Sequence, residues 1–398
     1  MRFALSRPPG AERVVTPLEL FFDLVYVFAI SQLAHQLLDH LDLRGTAETA
    51  VLTLAVVYAW YMVAWGSNWL NPNRLPVRLL LVGLMFASLL MSAAIPGAFG
   101  DYAWMFVTGY LLVQFGRTVF LIVALRGGPL GRHFVNDLIW ELAAGALWVA
   151  GAIADSDMRL ILWAIAVVIA HTGLWVLHWL PGRGRAIDLD HAGVDGSHLV
   201  ERFRLFFIIA LGETVLTMGA AFAGEPFEPA RLLALAIGFT ATVALWWCYF
   251  QMPDELGFAL AQNDEEAGRI GWIKTRMLTL MVLALIAIAV GDEIAIAHPD
   301  ETATLGFTLL VFVGPALFLL AQIYFLYAAR RIVDRSRLVA LAALAILGLA
   351  TAQLSTLAGI AAACAVLVAV AIRDTVVTTR TQPPAPRETA SPFDAEPR

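Results

Sequence analysis

Lysine is almost missing from this chain: Lys274 stands alone against 25 arginines, a compositional skew that carries no functional signal. Cysteine is nearly as scarce. Cys248 and Cys364 both lie inside apolar blocks, which excludes a disulfide framework and a thiolate metal knuckle. Charge of either sign is thin: 15% of residues are charged, where soluble domains carry roughly 25%. No basic patch is available to follow a phosphate backbone, so a nucleic-acid partner is not expected. Phosphate-binding loops, dinucleotide fingerprints and nucleophile elbows are all absent, and no cofactor is expected. No cleavable leader is visible, because the first apolar block carries acids and lacks a small-residue cleavage site after it.

What the chain has is apolar length. Of its 398 residues 60% are hydrophobic, and they fall in blocks of about twenty. Twenty helical residues at ~1.5 Å each cover the ~30 Å of a hydrocarbon core. The expected fold is all-α, a polytopic transmembrane helix bundle. Twelve spans are expected, at about 18–38, 47–69, 76–97, 102–125, 134–154, 158–179, 199–223, 229–250, 271–292, 303–328, 338–352 and 355–372. The last two are short, and read as one helix they would bring the count to eleven.

The arginines arbitrate, since positive residues stay on the cytoplasmic side. Arg2, Arg7 and Arg13 precede span one, Arg74 and Arg78 follow span two, and Arg126 and Arg132 follow span four. Arg183 and Arg185 follow span six, Lys274 and Arg276 follow span eight, and Arg330, Arg331, Arg335 and Arg337 follow span ten. The alternate loops are acidic or neutral. Both termini are therefore expected in the cytoplasm, which favours twelve. The segment from Thr378 onward is Pro-rich and polar, and residues 373–398 are expected to form a disordered cytoplasmic tail after an N-terminal segment (1–15) and the membrane region.

An internal repeat is expected as well. Glu19 and Glu201 open spans one and seven, each with a Phe two residues later. Trp60 in span two matches Trp246 in span eight, Arg78 matches Arg276, and Gln114 matches Gln322, at offsets of 182, 186, 198 and 208. Steadily rising offsets are what insertions between aligned helices produce. The reading is two six-helix halves, 16–179 and 199–372, joined by a cytoplasmic linker at 180–198. An even number of spans per half makes them parallel repeats, as in one class of transporters.

Several ordered motifs resemble the bacterial low temperature requirement A family. They are TPLELFFDLVYVF (Thr16–Phe28), Asn68-Trp69-Leu70 with Arg74, the stretch Ala94–Phe99, Gly116-Arg117-Thr118, HLVERFRLFFIIALGETVLTMG (His198–Gly219) and GDEIAIAHP (Gly291–Pro299). The resemblance covers about residues 16–372. It implies a multi-pass protein of the bacterial inner membrane and leaves the biochemical activity open. Asn71, Gln251 and Arg204 depart from the family pattern, which argues against the loops after spans two and eight as the active constellation.

Charge inside the apolar blocks supplies the candidate site. Glu19 and Asp23 are about 40° apart on one helix face, with Glu19 expected near water and Asp23 about a turn and a half deep. Gln114 and Arg117 share span four. Glu213 and Thr214 lie near the middle of span seven, whose mouth carries His198, Glu201, Arg202 and Arg204. Asn136, Asp137 and Glu141 form a stripe in span five, and His171 and His178 are placed on one face of span six. Charges facing lipid are costly, so these groups must face the interior, pair or neutralise. By depth, Arg117 is the expected partner of Asp23 or Glu213, the three forming one layer. The layer serves either as a structural clamp or as an ion- or proton-coupled pathway.

Asp188, Asp190, His191, Asp195 and His198 fit no zinc or calcium template, and no metal is expected. The tryptophans near span ends read as an interfacial belt. Asp292 and Glu293 read as a wet outer end of span nine, and Asn263–Glu266 as the cap of a short cytoplasmic amphipathic helix. Three functions remain in play. One is a transporter or channel for a small ion or solute; Phe-Phe-Asp in span one is similar to the Phe-Ser-Asp opening of the endolysosomal potassium-channel family, also built from six-helix repeats. The second is an intramembrane lipid enzyme using Asp137/Glu141 with His171/His178. The third is a non-transporting membrane factor for cold growth. Membrane lipids are the expected partners; the oligomeric state stays open.

Overall fold

The computed structural model describes residue 5 and residues 15–187, 193–251, 253–262 and 264–381. Its helices are α1 (Pro17–Asp39), α2 (Leu43–Trp69), α3 (Leu75–Ala93), α4 (Ala103–Ala124), α5 (Pro129–Ile153), α6 (Ser156–Trp175), α7 (Gly196–Ala223), α8 (Pro229–Gln251), α9 (Pro253–Ala261), α10 (Asp264–Ala297), α11 (Leu305–Arg330), α12 (Arg335–Thr351) and α13 (Thr356–Thr381). The described residues form no extended sheet strand; two isolated bridges pair Leu180 with Gly184 and Thr302 with Ser355.

Among the described residues, ten helical segments are long and apolar enough to cross a membrane. The other two expected spans are also helical but fall short of that standard. α5 carries Arg132, His133, Asn136, Asp137 and Glu141, and α12 has 17 residues, about 26 Å. The last two are separate helices, broken at Ala352–Ser355. Large apolar side chains such as Phe21, Leu24, Phe28, Leu79, Phe86, Leu309 and Leu320 cover the outside. An apolar coat of this kind suits lipid, not water.

Local sequence sets the helix starts. Thr16 caps α1 in a capping box with Glu19, and Pro17 occupies the first turn. Asp42, Asp155, Asp195, Thr304 and Asp334 cap α2, α6, α7, α11 and α12 through their side chains. Three boundaries differ from expectation. α6 stops at Trp175, because Leu177 and His178 adopt positive φ (52° and 51°), so His178 leaves the helix face of His171. Asp264 begins α10 itself; the 34-residue helix runs unbroken for about 51 Å, and the short helix is α9 before it. α13 continues to Thr381, nine residues into the expected tail, and residues 382–398 lie outside the described residues.

α2 and α10 are apolar and buried on most sides, 89% and 72% of their most apolar windows, so they form the middle of the bundle. In the first half α1 packs on α2 and α3, α3 on α4, α4 on α5, α5 on α6 and α2 on α6. In the second, α7 packs on α8 and α10, α10 on α11, α11 on α12, α12 on α13 and α8 on α13. The halves meet where α1 and α2 lie against α7 and α10.

Two glycines let helices approach closely. A Cβ on Gly109 of α4 would stand 2.7–2.9 Å from backbone atoms of Ala87 and Met91 on α3. A Cβ on Gly314 of α11 would stand 2.7 Å from Ile288 Cγ1 and 3.2 Å from Ala284 O on α10. Backbone cannot yield as a side-chain tip does, so Gly109→Ala should cost about 1–3 kcal/mol. Thermal melting in detergent should fall accordingly, whereas Gly83→Ala on α3, with open space around it, should leave the melting point unchanged.

Candidate functional site: a buried charge layer between α1, α2 and α7

Glu19 and Asp23 share one face of α1, four residues apart, and both are fully buried. Expected near water, Glu19 is sealed in by α7. Thr16 donates to it through its backbone N and Oγ1, each at 3.0 Å, and His198 Nε2 lies 3.2 Å away. Arg202, one turn along α7 from His198, sends Nη2 to Asp23 Oδ1 and places Nη1 3.6 Å from Glu19 Oε1. α2 completes the layer. Trp60 Nε1 donates to Asp23 Oδ1 at 2.8 Å, Ser67 Oγ accepts from Arg202 Nη1 at 3.1 Å, and Asn68 Nδ2 lies 3.4 Å from His198 Nδ1. Asn68 also exchanges two 2.9 Å hydrogen bonds with the backbone of Asp195, the cap of α7.

His198 Nδ1 faces an amide donor while Nε2 faces a carboxylate, which fixes the proton on Nε2. Among the described residues two carboxylates, Glu19 and Asp23, stand against the Arg202 guanidinium, and a further proton on His198 would make the layer more positive by one unit. Trp60, Ser67 and Asn68 were not foreseen as partners. Their signal was present: polar hydrogen-bonding groups in a helix with no other use for them, beside a motif shared with the family.

Arg117 does not join this layer. Depth matched it to Asp23, but α3 packs between α1 and α4, and Arg117 turns toward α5. It pairs with Glu141 and with Asp137 at 3.3 Å, and lies 3.5 Å from Gln114 Oε1. Thr118 Oγ1 donates to Glu141 at 3.0 Å, and His178 Nε2 lies 3.1 Å from Asp137. His171 is elsewhere, against Tyr58 and Tyr61, so the four residues of the lipid-enzyme reading are not one set. A third cluster was missed outright. Arg337, read as a loop cation, is fully buried and pairs with Asp334 and Asp374, while its Nε donates to Gln322 at 2.6 Å. Its signal was the spacing of Asp334 and Arg337 and an acid in the last apolar helix.

Glu213 is also separate, eleven residues or about 16 Å along α7 from Arg202. Thr217 donates to it at 3.2 Å, and Ser31 and His35 of α1 and Glu293 of α10 surround it. The three-charge layer of Asp23, Arg117 and Glu213 is thus replaced by two polar groups along the α1–α7 seam, with buried Tyr26, Ile30, Phe206 and Phe207 between them in sequence. Thr214 bonds Leu211 O and Thr242 of α8, and Glu201 pairs with Arg204 at the surface. Asp292 is buried rather than wet. Its Oδ2 has no hydrogen-bond partner among the described residues and it borders a cavity of about 20 Å³, room for one water. Asp188, Asp190 and His191 lie outside the described residues; among those described, no group of three metal-ligating side chains occurs.

Removing one member of a buried pair strands the other. Arg202→Gln should lower stability by about 3–5 kcal/mol, whereas the isosteric Asp23→Asn keeps the Trp60 bond and should cost less, read by thermal melting in detergent. At the α12 start, burial alone would raise the Asp334 carboxyl, but hydrogen bonds from Ser336 and the Arg337 charge outweigh it and hold it below the usual range. A depressed carboxyl contributes stability that is complete above about pH 4 and fades as pH falls through its folded value. Asp334→Ala should therefore cost about 1–2 kcal/mol at neutral pH, with the gap to the parent narrowing in acid.

Comparison with known proteins agrees with the motifs. The family model for bacterial low temperature requirement A protein (LtrA) matches residues 14–372. A Rhizobium meliloti (strain 1021) protein described as uncharacterized is 33% identical over 321 residues, 80% of this chain and 78% of that protein. No solved structure matches. The chain belongs to the bacterial low temperature requirement A family, as a multi-pass helical membrane protein.

Proposed function

We propose that this protein moves a small ion or a proton across the bacterial inner membrane, as a coupled transporter or a channel, along the seam where α1 meets α7 and α10. The observation that carries this reading is the position of the charge. Glu19, Asp23, His198 and Arg202 lie between the first helices of the two halves, and Ser31, His35, Glu213 and Glu293 gather further along the same helices. Ionisable groups within membrane helices mark transport pathways by default. Twelve spans, as two parallel six-helix halves with both termini cytoplasmic, accord with the shared neighbour pattern of the halves and with the arginine placement.

A second reading has one observation in its favour: Glu19, Asp23 and Arg202 are 0% exposed, as a permanent clamp between halves would be. In the transport reading this is an occluded arrangement that must open. Proteoliposomes holding a pH dye under a potassium, sodium or proton gradient separate the two. Wild-type protein should give gradient-dependent flux, reduced at least tenfold in Asp23→Asn and Glu213→Gln that remain folded at the assay temperature and are reconstituted in equal amount. Absence of flux under every gradient, with the variants merely unstable, would establish the clamp.

A further inference from the structure

Deeply placed arginines in this molecule have their charge answered. Arg117, Arg202 and Arg337 each hold two carboxylates, and Arg159 donates to the carbonyls of Gly151, Ala98, Gly100 and Ala154. Arg276 of α10 is different. It forms no ion pair among the described residues; its one hydrogen bond is to Tyr324 Oη, at 3.4 Å. Its guanidinium lies 3.1 Å from the ring centroid of Trp272 and 5.1 Å from that of Trp175. Stacked aromatics stabilise the cation and fix its plane, but they leave its N–H edge without an anion.

Depth narrows what that anion is. Arg276 precedes Ala297, the outer end of α10, by 21 residues, about 31 Å. That is the thickness of the hydrocarbon core, so with Ala297 at the outer boundary, in the orientation proposed above, the guanidinium comes level with lipid phosphate at the inner one. Beside it runs a groove of about 260 Å³ between α2, α6, α10 and α11, with Leu54, Leu174 and Leu280 in its walls. Trp175, at its rim, is 59% exposed. A single water needs about 10–15 Å³, so the groove has room for a chain of methylenes.

We infer that this groove is a binding site for a phospholipid with an anionic headgroup, its phosphate on Arg276 between Trp175 and Trp272 and an acyl chain along the groove. A water-soluble anion would satisfy the arginine but leave the apolar walls uncovered. A zwitterionic lipid would bring a cation for which, among the described residues, no carboxylate lines the groove. Basic pockets between membrane helices on the cytoplasmic side take anionic lipids for these reasons.

The test is native mass spectrometry of the full chain in detergent with phosphatidylglycerol and phosphatidylcholine of matched chains. One phosphatidylglycerol should be retained per chain, with about a tenfold preference over phosphatidylcholine. Arg276→Gln should abolish the preference and Arg276→Lys keep part of it. Leu280→Trp fills the groove while keeping the charge, and should also lose the lipid, which covers the case where Arg276→Gln fails to fold. Equal retention of both lipids by wild-type protein overturns the proposal. So does a preference that survives Arg276→Gln or Leu280→Trp, or glycerol phosphate competing as well as intact lipid.

Discussion

Arg202 carries a full positive charge into a place where water cannot follow, and the arrangement of α1, α2 and α7 depends on how that charge is answered. Desolvating a guanidinium and two carboxylates costs several kcal/mol per ion, and the attraction between them offsets this only when geometry and hydrogen bonds are nearly complete. Here the partners come from three helices at once: Asp23 and Glu19 from α1, Ser67 and Trp60 from α2, and Arg202 itself from α7, with Asp23 Oδ2 and Arg202 Nε left without a hydrogen-bond partner among the described residues. Such a layer fixes the register of the two halves. Moving α7 by one turn would remove both carboxylates from the arginine together. The same logic recurs around Arg117 and Arg337, within each half. There a glutamine, Gln114 of α4 or Gln322 of α11, touches the arginine.

This has a consequence for function. The Arg117 and Arg337 clusters hold neighbouring helices inside one half, while the Arg202 layer joins α1 and α2 to α7, across the halves. In the proposed transport reading, a rearrangement of one half against the other would have to break or recharge the Arg202 layer, and a proton on the histidine or a carboxylate would change its balance by one unit. Coupling between a bound proton and the relative position of two halves needs little more than that.

Much of the fold was legible in the sequence. Runs of about twenty apolar residues marked the helices, and arginine spacing separated α12 from α13. Helix ends were harder where the backbone turned for local reasons. Leu177 and His178 adopt a left-handed conformation that no composition signal announces, and α13 outlasts its apolar run. At the site, the sequence identified residues of the right kind but not their partners. Depth along a helix follows from counting residues, and it placed Asp23 and Arg117 at one level. Azimuth about the bundle depends on which helices are neighbours, and it separated them. Asp292 was misread for a related reason: α10 continues beyond it to Ala297, so a residue taken as a helix end lies inside the bundle.

The most direct test of the bridging layer is a double-mutant cycle. Stability would be measured for Asp23→Asn, Arg202→Gln and the pair, alongside Asp23→Asn, Arg117→Gln and their pair. A coupling of about 1–3 kcal/mol is expected for Asp23 with Arg202, and about zero for Asp23 with Arg117. Coupling of Asp23 to Arg117, or additivity for Asp23 and Arg202, would contradict the arrangement on which this account rests.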